Sequence, residues 1–192
     1  MGFWTDARMS KDPKRKYRFM VILGNMPNGA TWFAKRVVKP SPTITEEAHS
    51  YLNHKFYYPG RVEWNEVQVT LVDPVSPDAA AATAAILQAS GYAPPADFTD
   101  TQTISKQKAV NALNAVTIMQ IDSDGNNMET WELWNPFIKG IEYGELSYDE
   151  DGLSEITLTI RYDWAILETA NAAETAGAAA PFNRNKFFDP GI

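Results

Sequence analysis

The 192-residue chain has no cysteine, which excludes disulfides and thiolate chemistry and deprives any metal centre of its commonest soft ligand. Histidine is nearly absent as well. His49 and His54 stand five residues apart with no further ligands in fixed spacing, and they read as surface or interface residues rather than a zinc site. No apolar run approaches the roughly 20 residues of a membrane-spanning helix, and the opening MGFWTDARMSKDPKRKYRF lacks the apolar core and cleavage site of a signal peptide. A soluble, unprocessed chain with no membrane partner is therefore expected. There is no glycine-rich phosphate loop, nucleophile elbow or dinucleotide fingerprint. Asp122-Ser123-Asp124-Gly125 resembles the start of a calcium loop, but the glycine comes too early and no bidentate Glu follows, so a hairpin turn is expected. Glu63, Glu66, Glu129, Glu132 and Glu142 could meet across strands, yet nothing separates them from the polar side of half-exposed sheets. The expectation is a protein that is no enzyme and holds no cofactor.

Positive charge is also scarce. Seventeen Lys and Arg against twenty-four Asp and Glu leave a formal charge of -7, which argues against a surface built to grip nucleic acid. The basic residues cluster at Lys11, Lys14, Arg15, Lys16 and Arg18, and read as a solvated arm.

With 44% hydrophobic residues, the chain can bury one sizeable core, so a single domain with arms is expected. Tyr17, Phe19, Val21 and Leu23 alternate with Arg18, Met20 and Ile22, and a turn over 24–29 leads to a second run at 31–38, a candidate hairpin. KPSPTIT at 39–45 is blocked by two prolines and reads as a loop or an edge. The next segment, SYLNHKFYYPGRVEWNEVQVTLVDP, reads as two strands either side of Pro59-Gly60, with a bulge near Asn65 to reconcile the parity of Val62 and Trp64 with that of Val67, Val69 and Leu71. SPDAAAATAAILQASG predicts a helix capped by Ser76, with Pro77 at its first position, a stripe of Thr83, Ile86, Leu87 and Ser90, and Gly91 as its stop. SKQKAVNALN predicts a short second helix capped by Ser105. Strands follow at 115–121, 128–134, 137–143 and 153–164, with tight turns at Asp124-Gly125 and Asp151-Gly152.

The run LSEITLTIRYDW at 153–164 has two faces. Ser154, Ile156, Leu158, Ile160, Tyr162 and Trp164 point one way and want a core, whereas Glu155, Thr157, Thr159, Arg161 and Asp163 point the other. A solvated sandwich and a water-filled bore both accommodate that polar side.

The segment AVTIMQIDSDGNNMETWELWNPFIKGIEYGELSYDEDGLSEITLTIRYDWA carries, in order, Trp131 and Leu133; Asn135, Pro136 and Phe137; Gly144, Leu146 and Tyr148; and Tyr162, Asp163 and Trp164. In this it resembles the closing region of the tail tube proteins of contractile-tailed bacteriophages, the inner-tube family of myoviruses, and the likeness extends over about 17–167. The resemblance implies a mainly β fold: an antiparallel β-sandwich or barrel with one flanking α-helix, whose sheets join between subunits into a ring-shaped barrel. It divides the chain into an amino-terminal arm at 1–16, a tail-tube β domain at 17–167 and a carboxy-terminal extension at 168–192. It implies hexameric rings stacked inside a sheath, with baseplate and tube-terminating proteins as further partners, phage DNA passing without specific binding, and a virion location after synthesis in the host cytoplasm. A baseplate tube initiator, or the inner tube of an injection or secretion system, is the alternative within this fold; a monomeric ligand-binding β-barrel is the alternative outside it. On the tube reading Glu155, Thr157, Thr159, Arg161 and Asp163 line the lumen, and Phe3, Trp4, Lys39, Pro40, Pro42, Phe182, Phe187 and Phe188 are the expected contacts between rings. The helix at 77–90 is expected on the outside, facing the sheath.

Overall fold

Period-two alternation of apolar side chains builds most of the elements. A computed structural model describes residues 13–26, 33–95, 101–149 and 151–170. In chain order they form β1 (Phe19–Leu23), β2 (Ala34–Val37), β3 (Pro42–Tyr51), β4 (His54–Trp64), β5 (Val67–Val72), α1 (Ala79–Ala89), α2 (Lys106–Leu113), β6 (Val116–Ile121), β7 (Asn127–Trp134), β8 (Phe137–Glu142), β9 (Glu155–Arg161) and β10 (Trp164–Thr169). Two four-stranded sheets, ordered β1-β6-β7-β10 and β2-β5-β9-β8, stand beside a separate pair, β3-β4. Every pairing is antiparallel.

The two larger sheets face each other across one core. Val21, Leu23, Val116, Ile118 and Leu133 come from the first; Val67, Val69, Leu71, Ile156, Leu158 and Ile160 come from the second and are each at most 1% exposed. Burying a side chain of this size stabilises the fold by about 1.5–3 kcal/mol. Neither sheet closes on itself among the described residues: β1 and β10 are free edges of one, β2 and β8 of the other. The mainly β, antiparallel expectation holds, but two helices flank the sandwich where the family likeness implied one.

The predicted stripe of α1 is correct, with Thr83, Ile86 and Ser90 buried. Its cap is not Ser76. Asp78 adopts the extended cap conformation and accepts from the Ala81 N–H at 2.8 Å, leaving Pro77 outside the helix. Gly91 follows at φ +104°, a left-handed conformation that glycine adopts without strain. Ser105 caps α2 as expected, accepting from the Lys108 N–H at 3.3 Å.

Strand partners depart further from expectation. The runs at 17–23 and 31–38 are not a hairpin: β1 pairs with β6 and β2 with β5, in different sheets. Pro59-Gly60 is no turn, because β4 runs through it. Gly60 has no side chain where Thr45 of the partner strand crowds the backbone, and the bulge lies there, between the Ile44–Val62 and Glu46–Pro59 pairs. The parity change at Asn65 is a change of sheet: the chain leaves β4 and enters β5 through two unpaired residues, so each strand keeps its own alternation. Asp124-Gly125 is a turn, with the Asp122 carboxylate accepting from the Asp124 and Asn126 N–H groups at 2.8 Å. Asp151-Gly152 is not a two-residue turn between paired strands, since β8 ends at Glu142 and β9 begins only at Glu155. The run 153–164 also breaks, after Arg161, and Trp164 opens β10 in the other sheet.

Candidate functional site

The outward side of the β2-β5-β9-β8 sheet is mostly hydrophilic, with Val72 and Phe137 as apolar exceptions opposite Glu155 and Arg161. Along β9, Ile156, Leu158 and Ile160 point into the core, so Glu155, Thr157, Thr159 and Arg161 must point out, where they are half-buried between neighbouring strands. Thr157 sits opposite Thr70, the hydroxyl oxygens 3.4 Å apart, and Thr159 lies between Gln68 and Gly140. Charges on this face are paired across strands: Lys35 with Glu155, and Glu66 with Lys139 and, at 3.7 Å, Arg161. Asp163 falls outside the row. Past the end of β9, it accepts from the Lys106 ammonium at 2.7 Å and from the Asn135 amide at 2.8 Å. Burial opposes its ionisation, but these donors outweigh that and hold its carboxyl below the usual range.

The β3-β4 pair is a second, different surface. Among the described residues its two strands pair only with each other, and every residue of them except Trp64 is exposed. Ile44, Tyr51, Phe56, Tyr57, Tyr58 and Val62 are all at least half exposed. At about 3.4 Å per residue the hairpin extends roughly 35 Å. A two-stranded ribbon of this kind is marginal in water by itself. It presents both faces and both edges to solvent.

Its root, in contrast, is firmly held. Trp64 packs on Tyr162 with ring centroids 6.0 Å apart. Asn65 donates from its backbone to the Ser41 carbonyl and from its side chain to the Ser41 and Thr43 hydroxyls, at 3.0–3.1 Å. Lys39 donates to Glu129 and to Gln120, both at 2.7 Å. Glu129 also receives Lys14 and, at 2.6 Å, the Trp131 indole N–H. Burial disfavours the Glu129 anion, yet Lys14, Lys39 and Trp131 overcome that cost and hold its carboxyl at about 2.

Of the expected inter-ring residues, Pro42 lies in β3 opposite Trp64, Lys39 is engaged with Glu129, and Pro40 is buried in its own chain. Phe3, Trp4, Phe182, Phe187 and Phe188 lie outside the described residues. His49 and His54 are exposed on the hairpin, opposite Phe56 and Tyr51 respectively. Among the described residues no group of three His, Asp or Glu side chains is placed to hold a metal ion, and no helix is long and apolar enough to cross a membrane. Sequence reasoning missed the full extent of the hairpin, although three consecutive aromatics at 56–58 occupy both parities and so reserve neither face for an internal core. It also missed Glu129 as an anchor, although in METWELW that glutamate shares the inward parity of Leu133.

No protein-family model matches this chain, and no curated protein matches it either. Solved structures do. A chain of the anti-feeding prophage tube-terminating cap superposes with a TM-score of 0.61 at 14% identity, covering 88% of this chain and 100% of that one. A chain from the sheath–tube complex of an extracellular contractile injection system, in its extended state, gives 0.58 at 15% identity, covering 86% and 97%. A chain of the anti-feeding prophage baseplate, solved with sixfold symmetry, gives 0.58 at 16% identity, covering 83% and 97%. At such identities the likeness is one of fold: this chain has the fold found in the tube and cap assemblies of contractile particles.

Proposed function

We propose that this chain is a structural, non-enzymatic subunit of a phage tail tube, forming hexameric rings that stack into a conduit for DNA inside a contractile sheath. The observation that carries the reading is the β3-β4 hairpin: a long exposed ribbon with aromatics on both faces and a tightly bonded root has no core of its own to cover it, and large exposed apolar surface of this kind marks an interface. The free edges support the same reading. Pairing β2 of one subunit with β8 of the next would extend the β2-β5-β9-β8 sheet around a ring and remove the unpaired edges that otherwise invite aggregation. The side lined by Glu155, Thr157, Thr159 and Arg161 then faces the bore. Its cross-strand ion pairs offer a passing polyanion little net charge to hold, and adhesion by counterion release needs unpaired cations.

In this arrangement 17–167 form the tube domain, while the hairpin, the arm at 1–16 and the extension at 168–192 make contacts between rings, Phe3, Trp4, Phe182, Phe187 and Phe188 among them. The α1 face bearing Ala81, Ala85 and Gln88 is exposed and is available to the sheath. Baseplate and terminating proteins complete the tube ends. Because a cap chain and a baseplate chain share this fold, an initiator or terminator ring is the second reading, separated from the first by copy number per particle.

Electron microscopy with analytical ultracentrifugation of the purified chain tests the proposal. Rings or tubes are expected; a monomer of 21.4 kDa persisting at high concentration would refute it. Replacing Thr157 and Thr159 with Lys should leave rings intact and slow DNA passage, and unchanged ejection kinetics would remove both positions from the bore.

A further inference from the structure

A cavity of about 660 Å³ opens beside the free edges β1 and β2, and Lys14, Lys16, Lys35, Arg36 and Lys39 surround it. Its floor includes Phe19 and Trp131. Two carboxylates answer these five cations: Glu129 takes Lys14 and Lys39, and Glu155 takes Lys35. Lys16 and Arg36 are exposed, and no carboxylate among the described residues pairs with either. So concentrated a positive site is anomalous on a chain of net charge -7; Lys14 and Lys39 serve the hairpin root and Lys35 the polar face, which leaves Lys16 and Arg36 without a role.

The complementary surface lies on the same chain at the other edge of the same sheet. Residues 143–154, YGELSYDEDGLS, join edge strand β8 to β9, and the described part, 143–149 and 151–154, forms no regular structure. Within this stretch the sequence bears four carboxylates, Glu145, Asp149, Glu150 and Asp151. Leu146 is 88% exposed and Tyr148 fully exposed, so an aromatic and an aliphatic side chain stand in water among these charges. Loops this long without regular structure are uncommon in compact domains and are either functional or linkers. Its own cavity lies across the sheet, since β2 and β8 are separated by β5 and β9, roughly 14 Å at normal strand spacing, and none of the described loop residues lines it.

We infer that the β8–β9 loop of one copy docks into the basic cavity of the next, its carboxylates meeting Lys16 and Arg36 and Tyr148 resting on the Phe19–Trp131 floor. The inference rests on the ring reading and specifies its contact. Two different patches at opposite edges make a heterologous, head-to-tail interface, the type that closes into rings. Docking the loop also brings β8 of one copy alongside β2 of its neighbour, so an electrostatic key sets the order of subunits before the edges pair. Both patches are solvent-exposed, so the contact weakens as salt shortens the screening length.

Charge reversal tests this directly. One variant carries Lys16→Glu with Arg36→Glu, the other Asp149→Lys with Asp151→Lys; all four side chains are exposed, and melting curves matching wild type establish that each variant folds. Each alone should lose ring formation by sedimentation at low salt, falling at least tenfold in assembled fraction. Mixed in equal amounts they should recover rings, because an even-membered ring can alternate the two, each acidic cavity meeting a basic loop. Rings formed by each variant alone as readily as by wild type would overturn the inference while leaving the ring reading intact. A wild-type chain that never assembles overturns both. Variants that form rings normally, but in which Lys16→Glu with Arg36→Glu abolishes salt-sensitive binding of duplex DNA, would assign the cavity to nucleic acid and likewise overturn it.

Discussion

The sandwich and the hairpin are built from the same kind of strand and meet opposite fates. In the sandwich, Val67, Val69, Leu158 and Ile160 are wholly buried, and alternation gives each strand one face for the core and one for water. In the β3-β4 ribbon the aromatics fall on both faces, and even Tyr57 and Tyr58, which point opposite ways, are each more than half exposed. One region is complete within a single chain. The other has the chemistry of an interior and, among the described residues, no interior to occupy. The boundary between them is sharp because the root is locked by Trp64, Asn65 and the Lys39–Glu129 pair, which aims the ribbon away from the body.

The comparison breaks most visibly in the sandwich. Leu158→Ala should destabilise the isolated chain by about 2–5 kcal/mol, because a fully buried leucine is lost and a cavity remains; urea denaturation measures it, and a near-zero change would show that this face is not core.

Next comes the junction. The Glu129 carboxyl is held at about 2 against an ordinary 4.5, so its contribution is fully present above about pH 4.5 and is lost as pH falls toward 2. The whole shift corresponds to a change on the order of 3 kcal/mol. Glu129→Gln should remove that acid-dependent loss, which denaturant titrations at pH 6 and pH 3 would reveal.

The smallest effect on the single chain is expected in the ribbon. Tyr57→Ser with Tyr58→Ser should alter monomer stability by less than about 0.5 kcal/mol, as exposed positions usually do, yet weaken association in sedimentation. A substantial loss of monomer stability would mean that the ribbon packs on its own body and that the contrast drawn between the two regions is false.

Legibility in the sequence follows the range of the interaction involved. The sidedness of β1, β5 and β9, the stripe of α1, the Ser105 cap and the Asp122 turn were readable, since each depends on neighbours within a few residues: side-chain alternation, or a hydroxyl or carboxylate reaching a nearby N–H. The same local logic made 153–164 look like one strand, because alternation continues unbroken through the point where the chain changes sheets. The four outward residues Glu155 to Arg161 came from that reading, whereas Asp163 left the row when the strand ended.

What the sequence determined by itself is which residues turn inward along β1, β5 and β9, because a pleated backbone alternates its side chains wherever it lies. Only the tertiary structure decided that β1 joins β6, that β3 and β4 stand apart as a ribbon, and that Lys14 and Lys39 meet Glu129 from 115 and 90 residues away in the chain. Backbone donors and acceptors are identical in every strand, so they do not select a partner; that choice comes from how the inward faces fill one shared core, a property of the whole chain.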